Sequence, residues 1–209
     1  MAAISAHRRD SDDEGLALKR AVASGAEYVE LDIRTAFSGE PVVRHDRLAG
    51  AGRYFGVRAA LEILQGRAVA HLDLKEQGGE LEIVRLAQEV SGPDGFVVTT
   101  KIPSSIAAVK KEFPTARCAL SVGRSFWERG VAGDLLPISK IRACGADWVA
   151  LNYRLAQLGV LRQCADAGFP AMIWTVNRDR DLRRFLTDPR VAVVITDRPA
   201  DALRIRAAL

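Results

Sequence analysis

Glu30 and Asp32 stand two residues apart in the run Tyr28-Val29-Glu30-Leu31-Asp32-Ile33-Arg34. In a strand, alternate side chains share a face, so Tyr28, Glu30, Asp32 and Arg34 point one way and Val29, Leu31 and Ile33 the other. Two carboxylates side by side on a strand are costly to desolvate and repel one another; a cation between them removes both objections. A third acid, Asp73, shares the same alternation with His71 and Lys75 in His71-Leu72-Asp73-Leu74-Lys75. Three carboxylates make the oxygen-rich, open shell that Mg2+ or Ca2+ prefers, and a set without cysteine does not suit zinc. His7 and His45 supply acid/base groups that work near neutral pH. Arg8 and Lys75 supply cations for phosphate oxygens and the charge that grows on them. Together these groups meet the requirements of phosphodiester cleavage. His71 lies two residues deeper than Asp73 and is expected to be a hydrogen-bonded interior histidine.

These residues need a scaffold that brings distant strand ends together. Eight short apolar runs supply candidates: Ala3 to Ala6, Tyr28 to Arg34, Ala68 to Lys75, Phe96 to Lys101, Arg117 to Val122, Trp148 to Tyr153, Ala171 to Val176 and Val191 to Thr196. Segments of helical period lie between several of them, at Glu14 to Val22, Leu81 to Val90, Ile106 to Phe113 and Leu155 to Ala167. Gly25, Gly92, Gly145 and Gly168 stand where helices should stop, and Pro103, Pro137 and Pro199 where they should begin. Ser11 or Asp12 is expected to cap the first helix. Alternating units of this kind predict parallel strands with right-handed crossovers. Eight of them predict a (β/α)8 TIM barrel in one domain spanning 1–209, with a doubly wound open sheet as the competitor. A small added strand or hairpin, Pro41 to Asp46, follows the second strand. Barrels do chemistry at the carboxyl ends of their strands. His7-Arg8, Glu30, Asp32, Asp73, Lys75, Lys101, Asn152, Trp174 and Thr196-Asp197 all fall at such ends. Trp174 is read as barrel core or as a wall that packs on substrate.

The bulk properties narrow the partners. The 209 residues are 48% hydrophobic with a formal charge of +4, enough for one full core. The basic residues are scattered, so nucleic acid is not the expected partner; a small phosphodiester suits the balance. Cys118, Cys144 and Cys164 are an odd number at spacings unlike a disulfide or zinc pattern, which predicts reduced core thiols and a cytoplasmic location. The first residues do not form a signal peptide, and no apolar run reaches the roughly 20 residues of a membrane span. Stable membrane insertion is therefore not expected. No feature determines an oligomeric state.

The motifs resemble those of the glycerophosphodiester phosphodiesterases, with the sphingomyelinase D enzymes as relatives. The resemblance rests on His7-Arg8, Glu30-Leu31-Asp32, His45-Asp46, Asp73-Leu74-Lys75, Trp174-Thr175-Val176-Asn177 and Ile195-Thr196-Asp197-Arg198-Pro199, in family order across nearly the whole chain. It implies a TIM barrel in which Glu30, Asp32 and Asp73 bind the metal. It also implies His7 and His45 as the acid/base pair, with Arg8 and Lys75 on the phosphate. Departures are Arg9 where the family has glycine, Ser11 to Gly15 in place of a Glu-Asn-Thr box, with Glu14 as the stand-in, and Asp73 where glycerol-type members carry glutamate. A phospholipase D-like enzyme on lysophospholipid or sphingomyelin, and a catalytically silent phosphate-binding barrel, are the alternatives.

Overall fold

The computed structural model describes residues 1–7, 13–50, 52–123 and 131–209, with the backbone alone at 131 and 132. Arg8, Arg9, Ser11 and Asp12 lie outside the described residues.

Ten strands and ten helices are described. They run β1 (Ala3–Ala6), α1 (Glu14–Ala23), β2 (Tyr28–Thr35), β3 (Pro41–Val43), β4 (Phe55–Gly56), α2 (Val57–Leu64) and β5 (Val69–Leu74). Then come α3 (Glu80–Ser91), β6 (Phe96–Thr100), α4 (Pro103–Glu112), β7 (Cys118–Val122), α5 (Val131–Asp134), α6 (Ile138–Cys144) and β8 (Trp148–Asn152). The chain ends with α7 (Tyr153–Gln157), α8 (Val160–Asp166), β9 (Ala171–Trp174), α9 (Asp179–Thr187), β10 (Val191–Thr196) and α10 (Pro199–Ala207).

Eight strands pair in parallel in the order β1-β10-β9-β8-β7-β6-β5-β2, and β2 returns to β1 through Ser5 opposite Tyr28 and Ala6 opposite Val29. The ring is closed. It is a (β/α)8 TIM barrel, and all eight runs expected from the sequence are its staves. The expected added strand is β3, antiparallel to the last residues of β2 with Ile33 opposite Val43 and Thr35 opposite Pro41. β4 pairs with β3 in turn, outside the ring.

Strand alternation divides the apolar residues into two cores. Outward-facing Val29, Leu31, Leu72, Val98, Leu151 and Ile173 pack under the helices, which turn Leu61, Leu64, Val84, Ala87, Leu182 and Phe185 toward them. Each of the larger of these side chains, fully removed from water, contributes about 1.5–3 kcal/mol. Inside the ring the apolar set is smaller: Val97, Ala119, Ala150, Met172, Val193 and Ile195. At the amino end of the ring, Glu27 accepts from Ile4 N (2.9 Å) and from the Arg206 guanidinium (2.6 Å), which ties α10 across the seam between β1 and β2.

Two local readings are refined, and one helix is added. Asp13 caps α1, its Oδ1 accepting from Leu16 N at 2.9 Å; it is the residue whose carboxylate reaches the third amide of the helix. The segment from Leu155 to Ala167 is two short helices, because Gly159 (φ 94°) adopts a left-handed conformation between them. α2 was not singled out beforehand, although Val57, Ala60, Leu61 and Leu64 make its buried stripe.

Candidate active site

The carboxyl ends of the ring's strands enclose a cavity of about 340 Å³. Its acidic side follows from register. Asp32 on β2 lies opposite Asp73 on β5, and Asp73 lies opposite Thr99 on β6; Glu30 and His71 pair one level deeper. Parallel pairing in register therefore turns an in/out alternation on two strands into one patch. Oxygens of Glu30, Asp32 and Asp73 all lie within 4.8 Å of one another. The donor set is all oxygen and open on the cavity side, which fits a hard divalent cation.

Lys75 holds two of these acids. Its ammonium lies 2.6 Å from Asp32 Oδ1 and bonds Asp73 Oδ2. Burial alone would weaken the ammonium, but Asp73 and Asp32 push its pKa well above the ordinary lysine value. Burial would likewise raise the Asp73 pKa; the Lys75 charge and bond, with a hydrogen bond from Thr99 Oγ1 at 2.6 Å, outweigh it and hold Asp73 below the usual aspartate value. His71 lies beneath and is buried, with Nδ1 3.1 Å from Ser5 Oγ and Nε2 2.9 Å from Thr99 Oγ1. Burial pushes its pKa down to about 4, with Lys75 and His7 adding to the shift and Asp73 opposing it. It is the satisfied interior histidine expected from its depth.

His7 and His45 both line the cavity, and they share one arrangement. His7 Nδ1 lies 2.5 Å from Asp197 Oδ1, and His45 Nδ1 lies 2.9 Å from Asp46 Oδ1. A carboxylate accepts only, so in each pair the proton belongs on Nδ1 and the acceptor lone pair on Nε2. Asp197 is braced in turn by the Asn177 amide, whose Oδ1 accepts from Thr196 Oγ1 (3.1 Å) and Asp197 N (3.0 Å). His45 is delivered by β3: Arg44 N donates to Asp32 O at 2.8 Å, which draws the turn against the end of β2. Arg34 clamps that turn. Its Nε donates to His45 O (3.0 Å) and its Nη1 to Glu76 Oε1 (2.6 Å) beyond β5.

Trp174 lines the cavity and also packs on the inner apolar cluster. Its indole N–H donates to Ala150 O at 3.0 Å. Asn152 has a local task, since its Oδ1 caps α7 through Arg154 N at 3.0 Å. The structure thus gathers Glu30, Asp32, Asp73, Lys75, His7, His45 and Trp174 at one mouth. Sequence reasoning did not assign Thr99, Arg34, Glu76 or Asn177 a role in the site, nor Asp197 to His7; strand-end position and the motifs Trp174-Thr175-Val176-Asn177 and Ile195-Thr196-Asp197-Arg198-Pro199 were the signals that marked Asp197 and Asn177.

The fold and site define an open-mouthed (β/α)8 barrel with an acidic, oxygen-donor centre flanked by two carboxylate-braced histidines. No protein-family model and no curated protein matches the chain. Solved structures do match. A glycerophosphodiester phosphodiesterase from Agrobacterium tumefaciens is 18% identical with a TM-score of 0.76, over 99% of this chain and 100% of that one. One from Parabacteroides distasonis is 16% identical with a TM-score of 0.78, over 99% and 97% of the two chains. An Oleispira antarctica phosphodiesterase, in complex with its product sn-glycerol-3-phosphate, is 16% identical with a TM-score of 0.77, over 98% and 96%. The likeness establishes that the whole barrel, end to end, has the fold of these structures. Among the described residues no helix is long and apolar enough to cross a membrane.

Proposed function

We propose that this chain is a metal-dependent phosphodiesterase that hydrolyses glycerophosphodiesters to an alcohol and glycerol phosphate. The observation that carries the proposal is the pairing of two carboxylate-braced histidines with the Glu30, Asp32 and Asp73 cluster around one cavity. Its support from outside the chain is a shared fold with glycerophosphodiester phosphodiesterases and with a phosphodiesterase holding sn-glycerol-3-phosphate.

Glu30, Asp32 and Asp73 would hold Mg2+ or Ca2+, which when bound supplies a Lewis acid and a template for the phosphoryl group. Lys75 neutralises phosphate oxygens at the same mouth, and Arg8, outside the described residues, has the charge for that role. One histidine takes a proton at its Nε2 from the neighbouring glycerol hydroxyl that attacks phosphorus, and the other delivers a proton to the leaving alcohol oxygen; the same pair then assists water in opening the resulting cyclic phosphate to glycerol phosphate. Asp197 and Asp46 hold the rings in the required tautomer and stabilise the imidazolium that forms. Trp174 walls the mouth and excludes water from part of it. The three free, buried cysteines suit a reducing, cytoplasmic setting.

The test is turnover of glycerophosphodiesters and an aryl phosphodiester with Mg2+, Ca2+ or chelator. Glu30→Ala and Asp32→Ala should each lower metal-stimulated turnover by about 10^3-fold while the far-UV circular dichroism is retained. Full activity in both variants, or wild-type turnover indifferent to chelator, overturns the assignment. His45→Ala should lose turnover and keep metal affinity by calorimetry; a loss of affinity would make His45 a ligand.

A further inference from the structure

The side of the mouth away from the carboxylates carries two lysines that make no ion pair among the described residues. Lys101 follows β6, Lys140 lies in α6, and both are exposed. Lys101 and Ser121 line the main cavity and also an adjoining groove of about 240 Å³, which Lys140 lines as well. Lys140 reaches the groove over Gly133: a Cβ there would stand 2.9 Å from the Lys140 ammonium, so the glycine leaves room for it. One carboxylate, Asp134, also lines the groove, but it is buried and its Oδ2 is closed to solvent. Among the described residues, the charges that face an incoming group are therefore the two ammonium groups.

Trp174 points to the same conclusion from the opposite direction. An aromatic face open to a binding site attracts a quaternary or primary ammonium on the ligand. Here the protein's own cation is over that face, with Lys101 Nζ 5.6 Å from the ring centroid. A ligand ammonium would find the face taken and a like charge above it.

We propose that this groove receives the leaving alcohol and selects one that bears a further anionic group, a carboxylate or a second phosphate, over neutral and cationic alcohols. The inference rests on the phosphodiesterase assignment above and names the substrate class for it. With phosphorus at the Glu30, Asp32 and Asp73 cluster as proposed above, the leaving alcohol is placed toward Lys101 and Ser121, where the cavity continues into the groove. A negative group there meets Lys101 first and Lys140 beyond it.

The test compares kcat/KM for four diesters of sn-glycerol phosphate, with choline, glycerol, glycolate and glycerol phosphate as leaving alcohols. At low ionic strength the wild-type protein should prefer the glycolate or glycerol phosphate diester over the choline diester by about tenfold, and added salt should narrow the gap. Preference for one of the two anionic arms identifies carboxylate or phosphate as the recognised group. Lys101→Glu and Lys140→Glu should each lower the anionic-to-cationic ratio by about tenfold, and Lys101→Gln and Lys140→Gln by about threefold. A wild-type ratio below one, or a ratio that neither charge reversal moves, overturns the selection proposed for the groove while leaving the phosphodiesterase assignment intact. Absence of turnover on all four diesters overturns that assignment itself.

Discussion

The two halves of the barrel mouth are made from equivalent strand ends and differ in how tightly their polar groups are tied. On β1, β2 and β5 the polar groups form a mesh: Lys75 bridges Asp32 and Asp73, Thr99 reaches Asp73 from β6, and Asp197 from beyond β10 holds His7. Around Lys101, Ser121 and Trp174 the described contacts are fewer: Lys101 lies over the Trp174 ring, the indole N–H donates to Ala150 O, and all three residues line the cavity. A mesh in a partly buried, low-dielectric site is preorganised, so its charges need not rearrange as a transition state forms. A sparsely tied wall can accommodate different groups. On the proposed function, chemistry falls to the first half and selectivity to the second, and substitutions should split accordingly.

The most damaging challenge to that division is Asp197→Asn. An asparagine can donate to His7 Nδ1 and so favour the wrong tautomer. Turnover should drop about 10^2- to 10^3-fold on every diester alike, with kcat affected more than KM. Steady-state kinetics and the pH–rate profile check this; a loss confined to one leaving alcohol would put Asp197 in recognition and break the comparison.

The layer under the mesh makes a second, thermodynamic test. His71 is held neutral in the fold, its pKa lowered from 6.5 to about 4, whereas the unfolded chain binds a proton below about 6.5. The unfolded state therefore takes up more protons between those limits, and stability falls as pH drops from 6.5 to 4, by on the order of 3 kcal/mol. Urea denaturation across that range measures it. His71→Gln should flatten the slope, and an unchanged slope in the variant would assign the acid sensitivity to other groups.

The smallest effect is expected on the sparse side. Gly123, after β7, has φ 129°, and a Cβ there would stand 2.5 Å from Asn152 Cβ and 3.4 Å from Trp174 Cζ2. Gly123→Ala should cost about 1–2 kcal/mol of stability and raise KM about threefold with little change in kcat. Thermal melting and kinetics on one diester read both. A larger drop in kcat than in affinity would show that this wall takes part in the chemistry.

Much of this was legible beforehand for definite reasons. The staves were readable because each combines a compact apolar run with an adjacent turn or helix signal, and Gly145 marks its turn because it caps α6 with φ 74°. The acids were readable because a carboxylate every second residue has no place on a strand face that only packs. Other features were hidden. α2 is eight residues long and follows a two-residue strand, so its stripe has no flanking periodicity to stand out from. The break at Gly159 depends on a left-handed backbone that the apolar pattern around it does not announce.

The amino-acid sequence by itself determined which residue types face inward on each strand, and hence an oxygen-donor set with two histidines at strand ends. Only the tertiary structure decided the partners. Asp197 meets His7 across 190 positions because the ring closes β10 onto β1, and Thr99 meets Asp73 because β6 pairs in register with β5. Alternation is local, a consequence of backbone geometry within one strand. Partnership across strands depends on register and closure, which emerge when all eight strands pair at once.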